Sequence, residues 1–211
     1  MKYKMVALDL DGTLLNNEKT ISDKNAHILN ELHKRGIHIV IATGRNYYMA
    51  KTLIERLKFT EPVILANNGA VVRHYVNDEF IESNYLDFST FELIYELGLK
   101  HDLNPIIHVD EYHQGYDIIY ECENYEEVYL GYIKKDYTRT RCKKFNAEEI
   151  NNILSVCYFN EYQRLLKFKS EIEKIPGEFN IILNQNISSW SLLELLNING
   201  CKWCALKKYI D

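Results

Sequence analysis

Two aspartates, Asp9 and Asp11, stand two residues apart at the end of the apolar run Met5-Val6-Ala7-Leu8, and Gly12 and Thr13 follow them. Such a run, ended by carboxylates and a glycine, predicts a buried parallel strand that delivers both acids to its C-terminal edge. That edge is where open α/β sheets place their chemistry. An aspartate is a poor nucleophile in water, but beside a divalent cation it can attack a phosphorus whose oxygens the metal has neutralised, forming an aspartyl-phosphate. Asp11, on the same side as Asp9, can protonate the leaving oxygen and later deprotonate the water. Gly12 lets the backbone turn sharply enough for its N–H groups to face a phosphate. By themselves these residues also fit a strand running into an ordinary Asp/Gly turn.

Other candidates lie further along. Thr43 and Gly44 follow the apolar run 37–42, and a hydroxyl at a strand end, then glycine, then a helix start, makes an anion site; an ordinary N-cap is the alternative. Asn67-Asn68-Gly69 fits a generic turn. Cys201-Lys202-Trp203-Cys204 is a C-x-x-C pair, and one function for it is thiol redox chemistry, the thiol acidified by a helix N-terminus and the adjacent lysine. No second C-x-x-C completes a zinc site. His108 and His113 flank Asp110 and Glu111, but on a strand positions 108 and 113 point to opposite faces, so no metal site is expected there.

These residues need elements to position them. Ser22 is the expected N-cap of a helix with Ala26, Leu29 and Leu32 on one face, stopped by Gly36. The run 37–42 is the second strand, a helix carrying Ala50, Leu53, Ile54 and Leu57 follows, and 62–67 is the third strand. Runs 71–75 and 79–81 form a hairpin around Val76-Asn77-Asp78. From Tyr85 the texture changes. Ser89 to Glu92 looks like a capping box, strands are expected at 106–110, 116–120, 153–159 and 179–183, and helices near Asn124 to Glu127 and over 161–175. Residues 191–196 are expected to return the chain to the first domain. The tyrosines of this middle block, among them Tyr112, Tyr116, Tyr120, Tyr125, Tyr129, Tyr132 and Tyr137, are assigned to packing.

At 211 residues with 46% apolar content the chain can bury a substantial core. A net charge of −5, with no basic run interleaved with aromatics, argues against a nucleic-acid surface. No apolar segment approaches the ~20 residues of a membrane span, and no signal-peptide pattern precedes the first strand, so no membrane partner and a cytoplasmic location are expected. Five cysteines, an odd number in the second half, are not a secreted disulfide framework, and free thiols are expected.

Taken in order, Asp9-Leu10-Asp11-Gly12-Thr13-Leu14-Leu15, Ile41-Ala42-Thr43-Gly44-Arg45, Asn67-Asn68-Gly69-Ala70 and Lys202 with Ala205-Leu206 resemble the haloacid dehalogenase superfamily of phosphohydrolases, Cof-type branch. The resemblance implies an α/β fold: a Rossmann-like parallel core in residues 1–83, an α+β cap in 84–189, and a return to the core in 190–211. It implies a Mg²⁺-dependent phosphohydrolase of small phosphorylated metabolites, with Asp9 as nucleophile and Asp11 as acid/base. Thr43, Gly12 and Gly44 would hold phosphate, and Arg45 and Asn68 would face the substrate. Lys202 would offset the repulsion between Asp9 and an incoming phosphate. Asp9 and the backbone carbonyl of Asp11 would be metal ligands. The family continues beyond this length into a strand bearing further acids, so the chain is expected to be a shortened member lacking the last core strands. Its first strand would then be an apolar edge that invites a homodimer. A catalytically impaired phosphate binder is the second function this allows.

Overall fold

The structure is a computed structural model that describes residues 3–121, 133, 137–187 and 190–210. In chain order the first elements are β1 (Met5–Leu8), α1 (Asp23–Lys34), β2 (His38–Ala42), α2 (Tyr47–Leu53), β3 (Val63–Ala66), β4 (Val71–His74) and β5 (Phe80–Ser83). Then come α3 (Phe88–Lys100), β6 (Ile106–Glu111), β7 (Tyr116–Tyr120), β8 (Thr140–Cys142), β9 (Ile153–Asn160) and α4 (Tyr162–Ile172). The chain ends with β10 (Phe179–Ile187), β11 (Trp190–Asn197) and α5 (Lys202–Ile210). Two compact units result, one of Met1–Asn84 with Gly200–Asp211, the other of Tyr85–Asn199.

In the first unit the strands lie in the order β1-β2-β3-β4-β5. β1, β2 and β3 run parallel, and β4 and β5 add antiparallel as the expected hairpin. Ile39, Val40 and Ile41 are successive and all buried, so β2 is covered on both faces, as a continuous apolar run requires. On one face α5 contributes Ala205, with Leu206 and Tyr209 beside it, to a core of Val40, Ala42, Val63, Leu65 and Val72. The Ser22 hydroxyl accepts from Asn25 N–H at 3.2 Å and starts α1 as expected. The second helix is shorter than its apolar spacing suggests: α2 stops at Leu53, and Glu55–Thr60 is a tighter 3₁₀ stretch that still buries Leu57. Among the described residues β1 pairs only with β2 and is a sheet edge.

The second unit holds a sheet in the order β10-β11-β9-β6-β7-β8. α3 and α4 close its core with Phe91, Ile94, Leu165 and Phe168 around Tyr158 of β9. Three expectations need correcting here. The cap of α3 is Asp87 rather than Ser89, because the Asp87 carboxylate reaches Thr90 N–H at 2.8 Å. Residues 191–196 do not return to the first unit: β11 pairs with both β9 and β10 and is interior to this sheet, so the return comes at Gly200 rather than at residue 190. Its buried Leu193 and Leu195 fill this core, which a strand of the other unit could not do. The first unit also keeps Asn84, one residue beyond the expected boundary, because Asn84 N–H donates to Ala70 O.

His108 is buried on β6, whereas His113 is exposed in a short 3₁₀ turn after that strand. The helix expected near Asn124 to Glu127 and the residues Tyr125, Tyr129 and Tyr132 lie outside the described residues. Among the described residues no helix is long and apolar enough to cross a membrane.

Candidate active site

The C-terminal ends of β1, β2 and β3 lie side by side, and each is followed by one of the loops the sequence singled out. After β1 the backbone makes a wide turn: Leu14 N–H donates to Asp9 O at 3.2 Å and Leu15 N–H to Leu10 O at 2.9 Å. Such a turn needs a left-handed residue at its crest, and Gly12, at φ +70°, supplies it. Asp9 sits before the turn with extended backbone, and its Oδ1 accepts from Leu10 N–H at 2.7 Å. That bond fixes the carboxylate's direction.

Its other oxygen, Oδ2, takes the Lys202 ammonium at 2.7 Å, although the two residues are 193 apart in sequence. Lys202 is the first residue of α5, and the position of that helix is set by Gly69. Gly69 has φ +92°, and a Cβ there would stand 2.7 Å from Cys201 O and 2.9 Å from Ala205 Cβ. Only glycine lets the loop after β3 approach the start of α5 so closely. The Asp9 and Lys202 side chains remain 40% and 35% exposed, open enough for a small substrate to reach them.

Asp11 is engaged differently. Arg45 grips it with two bonds, Nε to Oδ2 at 2.7 Å and Nη2 to Oδ1 at 2.8 Å, and Lys19 reaches Oδ1 at 3.0 Å. The Arg45 hydrogen bonds, aided by Lys19 and opposed by partial burial, hold the Asp11 carboxyl down at about 2. Asp11 is therefore ionised at neutral pH. Lys19 was missed by the sequence reasoning, which put it in a polar loop; nothing in its spacing signals the contact.

Thr43 is fully buried, and its Oγ1 accepts from Arg45 N–H at 3.1 Å. The helix that follows is capped by Asn46, whose Oδ1 accepts from Met49 N–H at 2.8 Å, so Thr43 is not its N-cap. The loops after β2 and β3 are tied together: Asn68 N–H donates to Thr43 O, Asn67 N–H donates to Arg45 O, and a Cβ on Gly44 would stand 3.1 Å from Asn68 Oδ1. Gly44, Arg45 and Asn68 thus form one continuous rim. Asn67 and Asn68 both have positive φ, so the turn after β3 is more strained than a generic one.

The expectation of free thiols does not hold for the C-x-x-C pair. Cys201 and Cys204 are disulfide-linked, with Cα atoms 5.2 Å apart, a separation that one helical turn supplies. Cys157 is free and buried on β9.

The site thus joins a largely parallel α/β sheet, two acids after its first strand, and a lysine brought to the first of them from the far end of the chain. The chain belongs to the haloacid dehalogenase-like hydrolase family, whose model matches residues 6–211. It is 35% identical over 101 residues to the 5-amino-6-(5-phospho-D-ribitylamino)uracil phosphatase YcsE of Bacillus subtilis, an alignment covering 48% of this chain and 40% of that relative. With YwtE of the same organism, which bears the same phosphatase description, it is 27% identical over an alignment of 228 residues covering 99% of this chain and 76% of the relative. The fold matches a haloacid dehalogenase-like hydrolase from Bacteroides thetaiotaomicron with a TM-score of 0.79 at 23% identity, covering 99% of this chain and 76% of that one.

Proposed function

We propose that this protein hydrolyses small phosphorylated metabolites through an aspartyl-phosphate on Asp9. The observation that carries the reading is the Lys202–Asp9 pair, because an ammonium fixed at the nucleophile is what an anionic substrate needs in order to approach a carboxylate. The named phosphatase activity of the two Bacillus relatives supports the same substrate class. Asp9 attacks phosphorus, and Lys202 offsets the negative charge that builds on the phosphoryl oxygens. Gly12 with the rim of Gly44 and Asn68 orients the phosphate, while buried Thr43 supports that rim from beneath by accepting from Arg45 N–H. Arg45 has two carboxylate bonds to give up, and phosphate oxygens are an equivalent acceptor for its planar fork. Once Arg45 turns to the substrate, Lys19 still holds Asp11, but the largest cause of its low pKa is gone. The carboxyl can then take up a proton, give it to the leaving group and recover one from water.

Asp9 and Asp11 offer hard oxygen donors, which suit Mg²⁺ in kind. Among the described residues no three His, Cys, Asp or Glu side chains converge, but Mg²⁺ ordinarily takes one or two protein ligands and fills its octahedron with waters and substrate phosphate. Asp9 and the backbone carbonyl of Asp11 would hold it, and when bound it would neutralise the phosphoryl oxygens.

The deciding experiment is hydrolysis of an aryl phosphate with and without Mg²⁺, with Asp9→Asn as the blank. Turnover that requires both Asp9 and Mg²⁺ supports the proposal. A folded protein that binds inorganic phosphate without turnover would reduce it to a phosphate binder.

The edge of β1, which among the described residues pairs only with β2, gives a second copy of the chain a place to pair. We infer a homodimer through that edge, and sedimentation equilibrium showing a monomer at every concentration would overturn it.

A further inference from the structure

The disulfide between Cys201 and Cys204 brackets the residue that holds Asp9. Cys201 is the residue before α5, and Cys204 lies in its first turn. Cys201 Sγ accepts from Cys204 N–H at 2.9 Å, and Cys201 O accepts from Ala205 N–H at 3.0 Å. On its other side Cys201 abuts the backbone of Gly69. Cys201 is therefore anchored to the β3 loop, and the cross-link extends that anchorage across Lys202 to Cys204. Helix ends are where backbone hydrogen bonds open first, so a cross-link over the first turn acts at the weakest point of α5. Both cysteines are partly exposed, within reach of a dissolved thiol.

We propose that Cys201–Cys204 is a reversible thiol–disulfide modification site, with a dithiol reductant and a disulfide oxidant as its reaction partners, whose oxidised form holds the Lys202 ammonium on Asp9 and whose reduced form loosens it. Its bearing on catalysis rests on the function proposed above for Asp9 and Lys202. In the forward step a thiolate of the reductant attacks one protein sulfur and the Cys201 Sγ–Cys204 Sγ bond breaks. A mixed disulfide forms, and the other cysteine leaves as a thiolate and takes up a proton. The reductant's second thiol then displaces the remaining cysteine. Two electrons have passed to the protein, which holds two thiols, and the reductant has become a disulfide. The reverse sequence restores the bond. Reduction loosens Lys202 because the cross-link that spans it, from Cys201 to Cys204, is lost.

The test uses the full chain, oxidised in air or reduced with dithiothreitol. The readout is the rate at which an amine-reactive ester acylates Lys202, measured by mass spectrometry against the exposed Lys167 of the second unit. Reduction should raise the relative Lys202 rate about threefold, the scale of a partly exposed ion pair. Asp9→Asn sets the ceiling, and the double variant Cys201→Ser/Cys204→Ser should react at the reduced rate under both conditions. With phosphatase turnover in hand, kcat/KM should fall by a similar factor on reduction and stay constant in the double variant. Equal Lys202 rates in the two states, or free thiols at 201 and 204 after oxidation, overturn the inference. A shift in Lys202 labelling without any turnover supports it while removing the proposed phosphatase function; turnover with no shift does the opposite.

Discussion

Arg45 holds Asp11 by both carboxylate oxygens, at 2.7 and 2.8 Å, across two loops that follow adjacent parallel strands. Each partner lends the other its direction, and the pair keeps Asp11 ionised until a competing anion arrives. Arg45→Ala should therefore raise KM for an aryl phosphate about tenfold, the scale of a lost charge-assisted contact, while changing kcat less. Arg45→Lys should recover only part of the loss, since an ammonium lacks the planar fork. Steady-state kinetics on the two variants checks this. An unchanged KM would remove Arg45 from phosphate binding.

Lys202 should behave in the opposite manner. Its charge is needed most when negative charge builds up in transfer, so Lys202→Met is expected to lower kcat by about 10²- to 10³-fold. Its KM should move far less than that of Arg45→Ala. Single-turnover measurements with saturating substrate separate the two effects.

Gly69→Ala strikes the support of the site rather than its chemistry. The substitution puts a Cβ at φ +92° and 2.7 Å from Cys201 O, in a contact between two backbone segments where little can yield. A loss of about 2 to 4 kcal/mol is expected from the strain and the overlap together. Urea unfolding gives the loss directly, and an unaltered midpoint would show that the loop and α5 can separate without cost.

His108 makes the second unit sensitive to acid. Full burial lowers its imidazole from the ordinary 6.5 to about 4, because the charged form loses its water. Between those values the unfolded chain binds a proton that the native one refuses. Stability should be constant above pH 6.5, fall as the pH drops through that window and level off near 4. Unfolding of the second unit, followed in urea at pH 7 and pH 5, should show the loss, and His108→Asn should flatten this part of the profile.

The elements that carry the site were legible because their causes are local. An apolar run ended by two acids and a glycine gives a strand and a sharp turn wherever it is placed, and Ser22 caps α1 by reaching three residues ahead. Leu193 and Leu195 suit the interior of either unit, and their sequence does not say which sheet takes β11. The cap of α3 fell to Asp87, two residues before the serine that looked right, because Asp87, Ser89 and Thr90 all carry capping oxygens.

By itself the sequence determined the order of the loops, the residue types on them and the family resemblance they compose. Tertiary structure alone decided that Lys202 reaches Asp9, that Arg45 and Lys19 converge on Asp11, and that Cys201 closes on Cys204 beside Gly69. The physical reason is range. Backbone preferences and caps act over a few residues, whereas an ion pair 193 residues apart exists only after sheet order and helix packing have brought its partners together.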